Sequence, residues 1–400
     1  MNVTIIPSKA KGTIYAPPSK SVAHRALICG ALTEGCTIKN CGLSKDIEAT
    51  LRCLSAMGAK IEEKEDSIII GGLSPFTINN HPILDCGESG STLRFLLPLC
   101  LLSGNPITLT GQGKLMQRPM EIYESLCREN DFTYVKNEDS ITVCGQLRPG
   151  HYAIPGDVSS QFITGLIFAL SLLQEESILE VTGRFESASY VDITLAVLSD
   201  FGVAISREHN TYFVKNNQSF SNKNYVVEGD CSNAAFLDAF NLLSGDVKVL
   251  GLSPKTPQGD WAYKQMYADL QEGKQQFDLS DCPDLGPVMF ALSAAFGGAQ
   301  FIGTARLRIK ESDRCQCMAD ELAKFGISTE IGENYVNVLP GELTAPSEIL
   351  CGHNDHRIVM ALSLLCTVVG GTIDGTEAIA KSYPHFFEDI KALGIELNSL

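Results

Sequence analysis

Residues 313–338 read DRCQCMADELAKFGISTEIGENYVNV, and the order of residue types in this stretch decides the fold. Residues 313–325 form a helical run. Gly326 follows the last periodic residue and supplies the left-handed conformation that ends a helix at no steric cost. Residues 327–338 then read as two short strands. The same order recurs at residues 47–57, Gly58 and 59–70; at 120–129, Asn130 and 132–143; and at 191–201, Gly202 and 203–214. Residues 261–272, Gly273 and 274–279 give a shorter copy, and 386–393, Gly394 and 395–397 close the chain. Polar clusters such as Asn137-Glu138-Asp139 and Glu208-His209-Asn210 mark hairpin turns. The turn residues are mostly near 70 apart, so the α/β unit is an internal repeat. Six copies exceed one compact core, which predicts two domains of three copies each. The polar stretch 216–224 reads as a linker or loop between the third and fourth copies.

Composition narrows the function. Of 400 residues, 44% are apolar and 20% charged, which excludes disorder over the whole chain. The formal charge of −16 repels nucleic acid and anionic membranes unless bases cluster locally. The N-terminal residues lack the apolar stretch of a secretory signal. The longest apolar runs, 95–102 and 358–371, are too short or too interrupted to span a bilayer. The expected location is the cytoplasm. Fourteen cysteines are scattered with no Cys-x-x-Cys pair, and Cys315-x-Cys317 is the closest spacing. In a reducing compartment they act mostly as small core residues. Cys351, His353 and His356 are metal-ligand types, but no second ligand pair with zinc spacing accompanies them, and no metal is expected.

The basic residues are few, and several stand beside Gly, Ser or Pro. Pro17-Pro18-Ser19-Lys20-Ser21 leads into an apolar run containing Arg25. Ser19 can cap that helix, which would set Lys20, Ser21 and Arg25 in or near first turns that favour anions. Gly87-Glu88-Ser89-Gly90-Ser91 feeds an apolar helix but is neither a Walker A loop nor a nucleophile elbow. Residues 111–119 form a Gly-rich loop ending in Arg118, whose fork suits planar anions. Ser159-Ser160-Gln161, Lys310-Glu311-Ser312-Asp313-Arg314, Asn354-Asp355-His356-Arg357 and Lys381-Ser382-Tyr383-Pro384 complete the set. Each alone also reads as a solvated or capped helix start. Together, in an acidic chain, they point to a substrate with several phosphate or carboxylate groups, held between two domains.

In this order the motifs resemble the 3-phosphoshikimate 1-carboxyvinyltransferases (EPSP synthases), from about residue 7 to residue 390. The resemblance implies a two-domain inside-out α/β barrel, each domain built of three βαβαββ repeats. It implies residues 15–227 as an inserted domain, with 1–14 and 228–400 as the other. The implied reaction transfers the enolpyruvyl group of phosphoenolpyruvate to the 5-hydroxyl of shikimate 3-phosphate and releases phosphate. Carried over by motif, Lys20, Arg118, Arg314, Arg357 and Lys381 would bind phosphoenolpyruvate. Ser21, Arg25, Ser159, Ser160, Gln161, Ser187, Tyr190 and Lys310 would hold shikimate 3-phosphate, and Gly90 would lie in a substrate-binding loop. Gln161 would touch both ligands. Asp284 and Glu311 would carry protons, with Lys20 assisting. No cofactor, nucleic acid or membrane partner is implied, and a monomer is expected. Two positions depart from the family pattern: Glu88 stands where Asn is frequent, and so does Arg306. The sister transferase acting on UDP-N-acetylglucosamine carries a loop cysteine that residues 111–119 lack, and its Lys-Asn pair is Lys20-Ser21 here. A non-catalytic polyanion-binding protein built on the same repeats is the alternative from another class, and the intact Asp284, Glu311 and Lys20 argue against it.

Overall fold

The computed structural model describes residues 1–79, 81–216 and 218–399. Six of its helices end in the same hydrogen-bonded stop. After the helix Arg314–Lys324, the Gly326 N–H donates to the Ala323 carbonyl and the Ile327 N–H to the Leu322 carbonyl, both at 3.0 Å. This pairing satisfies carbonyls that the helix end would leave bare. It also closes Lys45–Ala56, Glu121–Glu129, Ala188–Asp200, Tyr263–Gln271 and Phe386–Ala392. The left-handed residue is Gly58, Gly202, Gly273, Gly326 or Gly394, with φ between +82° and +109°. In the second copy it is Asp131 (φ +57°) rather than Asn130 (φ −108°). Asn and Asp both tolerate that region, and only the backbone distinguishes them.

Most stops lead into a hairpin that completes a four-stranded sheet. Ile83–Asp85 pairs parallel with Ile107–Thr110 across the helix Gly90–Cys100. The helix Glu121–Glu129 then leads to the hairpin Thr133–Lys136 and Ser140–Cys144, which joins antiparallel. His151–Pro155, Ser177–Thr182, Thr211–Val214 and Ile205–Glu208 repeat this order, as do Gln276–Asp278, Ala299–Ile302, Tyr335–Val338 and Thr329–Ile331. Two sheets borrow a strand from far along the chain. Asn224–Val226 supplies the first strand beside Cys36–Lys39, and Val3–Ile5 sits between Gly371–Asp374 and Leu397–Ser399. The remaining copy stops short: Lys11–Tyr15 pairs only with Asp246–Leu250. The segment 274–279, read as the strand of that copy, instead opens the next sheet as Gln276–Asp278.

The chain divides into two compact units, Pro18–Glu228 and Met1–Pro17 with Gly229–Leu400. Each has its own apolar core. The stretch 216–224 lies inside the first unit as a loop whose end enters the strand Asn224–Val226; Asn217 is outside the described residues. The helices that join parallel strands are apolar nearly all round. In Gly90–Cys100 all but Ser91 are buried, and in Ser160–Leu170 all but Gln161. Such helices belong in an interior. The strands alternate, as in the outward and inward residues of His151–Pro155. Each unit therefore carries helices inside and sheets outside, an inside-out α/β arrangement. Among the described residues no helix is long and apolar enough to cross a membrane.

Candidate active site

The motif residues collect at helix N-termini. Ser19, Ser89, Ser159, Asp230 and Asp355 cap five of the inner helices, each side chain accepting a backbone N–H of the first turn. Asp284 lies in the short 3₁₀ turn Pro283–Leu285 that feeds the sixth, Gly286–Ala295, without a capping bond to it. Polar motif and apolar helix adjoin because each cap must sit where the strand-to-helix loop enters the core.

In the unit Pro18–Glu228, Arg25 is buried. Its Nε donates to Thr194 Oγ1 (2.7 Å), and its terminal nitrogens donate to the Ser21 carbonyl (2.6 Å) and the Tyr190 carbonyl (2.8 Å). These partners are neutral oxygens. Burial, not offset by a carboxylate, pushes the guanidinium down to about 9. Arg25 thereby fastens the helix Lys20–Ala31 to Ala188–Asp200, which Ser187 heads in a left-handed conformation (φ +56°). A second cluster surrounds Gly90. A Cβ there would meet Arg118 at 2.8 Å, Arg94 at 3.5 Å and Gln161 at 3.6 Å. Arg94 donates to Gln161 Oε1 (2.8 Å) and the Pro119 carbonyl (3.0 Å), while Gln161 Nε2 donates to Ser91 Oγ (2.9 Å). Ser159 and Ser160 begin the helix that carries Gln161. Lys20 Nζ pairs with Asp46 (2.8 Å). A buried relay of His24, Thr50, Thr92 and Ser89, with contacts of 2.7–2.8 Å, links the helix of Lys20 to the N-terminus at Gly90. Glu88 turns its carboxylate toward Gly113, where a Cβ would meet it at 2.7 Å.

In the other unit one carboxylate gathers three cations. Asp284 lies 2.9 Å from Arg314, 3.0 Å from Arg357 and 3.4 Å from Lys310. Burial pushes its carboxyl up, but Arg357, Lys310 and Arg314 outweigh that and hold it well below the usual carboxylate range. Arg314, almost wholly buried, also reaches Glu311 (2.8 Å) and Asp355 (2.9 Å). Asp355 takes a further bond from Ser312 (3.0 Å). Burial pushes the Lys310 ammonium down to about 8; Asp284 opposes this, and Arg306 and Arg314 add to it. Lys381 Nζ donates to the Asn354 carbonyl (2.7 Å), one residue before Asp355.

The predicted residues thus fall into a few local clusters. Asp46, Arg94, Thr164, Thr194, Asp355 and Arg306 join them without having been singled out as site residues. Asp46, Arg94, Thr164 and Thr194 are identified by contacts far apart in sequence, as Arg25 and Thr194 are 169 positions apart, whereas Arg306 is four residues from Lys310 and Asp355 belongs to a motif already noted. Among the described residues, the arginines and lysines that are buried are Arg25, Arg94, Arg306, Arg314, Arg357 and Lys381. All six lie in or beside these clusters. No group of His, Cys, Asp and Glu among the described residues is arranged to hold a metal.

Residues 5–390 match the sequence profile of the EPSP synthase (3-phosphoshikimate 1-carboxyvinyltransferase) family. The 3-phosphoshikimate 1-carboxyvinyltransferase of Clostridium kluyveri is 39% identical, covering 99% of this chain and 98% of that protein. That of Clostridium acetobutylicum is 38% identical, covering 98% and 97%. The solved EPSP synthase of Acinetobacter baumannii superposes with a TM-score of 0.79 at 24% identity, over 100% of both chains. The enolpyruvyl transferase NikO from Streptomyces tendae gives 0.74 at 15% identity, over 99% of this chain and 98% of that one.

Proposed function

The chain belongs to the EPSP synthase family, and on that footing we infer how its residues divide the transfer of the enolpyruvyl group from phosphoenolpyruvate to the 5-hydroxyl of shikimate 3-phosphate. The enzyme is a 3-phosphoshikimate 1-carboxyvinyltransferase of the shikimate pathway, which leads to the aromatic amino acids. One observation carries the assignment of the site: the buried arginines and lysines of a chain with net charge −16 all stand at the motif clusters. Buried cations with neutral partners, such as Arg25, gain most from an anionic ligand.

Shikimate 3-phosphate is assigned to Ser21, Arg25, Ser159, Ser160, Gln161, Ser187, Tyr190 and Lys310. Phosphoenolpyruvate is assigned to Lys20, Arg118, Arg314, Arg357 and Lys381, with Gly90 leaving room where any side chain would strike Arg118. The 5-hydroxyl attacks C2 of phosphoenolpyruvate while the methylene carbon takes a proton, and the tetrahedral intermediate then expels phosphate. Glu311 is assigned the proton delivered to the methylene carbon, with Lys20 assisting. Asp284 orients the hydroxyl and accepts its proton. In the free enzyme its three cations make it a weak base. An anionic substrate that draws on Arg314, Arg357 and Lys310 releases part of that hold and raises the basicity of Asp284 as the hydroxyl arrives. The reaction works in the cytoplasm, by a monomer, through charge stabilisation and orientation without a cofactor.

The test is phosphate release from purified enzyme given each substrate alone and both together. Release only with both, accompanied by a product one enolpyruvyl unit heavier than shikimate 3-phosphate, is expected. Release from phosphoenolpyruvate with UDP-N-acetylglucosamine instead would overturn the substrate assignment.

A further inference from the structure

Three residues with no part in the proposed chemistry, Cys317, Cys351 and His353, lie together around Glu321. Cys317, Glu321 and Lys324 follow at positions i, i+4 and i+7 of the helix Arg314–Lys324, on one face. The buried Glu321 carboxylate accepts from the Cys351 N–H (2.9 Å) and from Lys324 Nζ (3.0 Å), and it meets His353 Nε2 at 2.9 Å. The His353 N–H donates to Cys351 Sγ at 3.3 Å. Cys317 stands one turn before Glu321 on that face, beside the imidazole. Cys317 and Glu321 push the His353 ring up to about 10, so it is a cation at neutral pH. A thiolate beside a cation is the reactive form of cysteine.

Cys351 is exposed and Cys317 half-buried, whereas eleven of the other cysteines are buried and Cys144 is half-buried. Burial pushes thiols such as Cys41, Cys127 and Cys315 up to about 12, which makes them poor competitors for an oxidant. The loop that follows Cys351 is strained. His353 and Asn354 both hold left-handed conformations without being glycine (φ +50° and +53°). From that loop the Asn354 carbonyl accepts Lys381 Nζ, and Asp355 accepts Arg314.

We propose that Cys317 and Cys351 form an oxidant-sensitive thiol pair beside the His353–Glu321 couple, and that its oxidation by a peroxide disturbs the loop positioning Lys381 and Arg314. One sulfur, as the thiolate, attacks a peroxide oxygen. The O–O bond breaks, and the departing hydroxide takes the imidazolium proton and leaves as water. The sulfur has lost two electrons and is a sulfenic acid. The second thiol attacks it, the S–O bond breaks, and a second water leaves with the thiol proton, giving a Cys317–Cys351 disulfide. The consequence for phosphoenolpyruvate rests on the assignment of Lys381 and Arg314 to that substrate; the thiol chemistry does not.

The experiment treats the whole enzyme with equimolar hydrogen peroxide and follows peptide masses and kinetics together. A linked peptide pair containing residues 317 and 351, two hydrogens lighter than its parts, is expected. With it, KM for phosphoenolpyruvate rises about tenfold, as for the loss of one charge-assisted hydrogen bond, and dithiothreitol restores it. Cys317→Ser and Cys351→Ser keep the untreated rate and lose this reversible response, and His353→Asn slows the oxidation. Absence of the linked pair, or preferential oxidation of another cysteine, overturns the thiol pair. A linked pair with unchanged KM overturns the coupling to the loop. Lys381→Ala in unoxidised enzyme separates the two readings: an unaltered KM for phosphoenolpyruvate sinks the substrate assignment, while the peptide masses still decide the thiol pair.

Discussion

Asp284 holds three cations, and Glu311 shares one of them, so the two acids respond differently to losing their charge. Glu311→Gln leaves Arg314 paired with Asp284 and Asp355. Its melting temperature should change little while kcat falls by about 10²-fold or more, the usual worth of a positioned proton donor. Asp284→Asn should lose as much rate and also stability, because a buried pair broken on one side costs about 3–5 kcal/mol. Calorimetry should still detect shikimate 3-phosphate binding to both. Near wild-type turnover in either variant removes that residue from the proton chemistry. Arg118→Ala should raise KM for phosphoenolpyruvate far more than KM for shikimate 3-phosphate, by about 2–5 kcal/mol of binding; equal losses would refute the assignment. Lys310 supplies a pH signature. Its ammonium titrates at about 8, so it is charged below that pH and neutral above it. The kcat/KM for shikimate 3-phosphate, which reports the free enzyme, should therefore decline as pH rises through about 8. Arg306→Asn removes a neighbouring positive charge that pushes Lys310 down. The decline should then move to higher pH, and an unmoved profile would show that Lys310 does not govern it.

At the scale of the element, helix ends explain what the sequence discloses and what it hides. Five stops were legible because glycine alone enters the left-handed region freely. The sixth was displaced by one residue, since Asn130 and Asp131 are both permitted there. Gly58 gives a clean test, because a Cβ on it would meet nothing within 4 Å. Gly58→Ala should thus cost only backbone conformation, about 1–2 kcal/mol, read as a lower unfolding midpoint in urea. Asp131→Gly should move the midpoint the other way, and a loss of stability there would contradict the shared stop. The capping serines were legible for the same local reason, a hydroxyl placed ahead of an apolar run. Asp46, Arg94 and Thr194 were not, because their partners come from other helices of the unit. The missing hairpin of the fourth copy was hidden too. Residues 274–279 directly follow the helix stop at Gly273, and only pairing shows that Gln276–Asp278 belongs to the next sheet.

At the scale of the whole molecule, three sheets pair strands that lie far apart in the sequence, and those pairings govern how the chain can be cut. Among the described residues, the three sheets of the segment Pro18–Glu228 draw every strand from within it. Asn224–Val226 pairs with Cys36–Lys39, Val227 is buried in the same core as Val22, and the Ser19 N–H donates to the Glu228 carbonyl at 2.8 Å, joining the two ends. Residues 229–400 do not. Without the first seventeen residues, Leu397–Ser399 and Asp246–Leu250 lose the strands they pair with among the described residues, and the buried Val3 and Ile5 are gone from the core. We therefore expect a fragment of residues 18–228 to fold alone and unfold cooperatively in urea. A fragment of residues 18–220 should be weaker, since it lacks Val227 and Tyr225, whose ring lies 5.4 Å from that of Phe201 at a tilt of 33°. Each such side chain is worth about 1.5–3 kcal/mol when fully buried. Residues 229–400 should show no cooperative transition until residues 1–17 are restored by fusing them through a flexible linker. Circular dichroism during urea titration of the four fragments decides it. A cooperative transition in 229–400 equal to that of the fused form would show that the N-terminal strands are ornaments to that unit. The absence of one in 18–228 would show that the inserted unit depends on the rest of the chain.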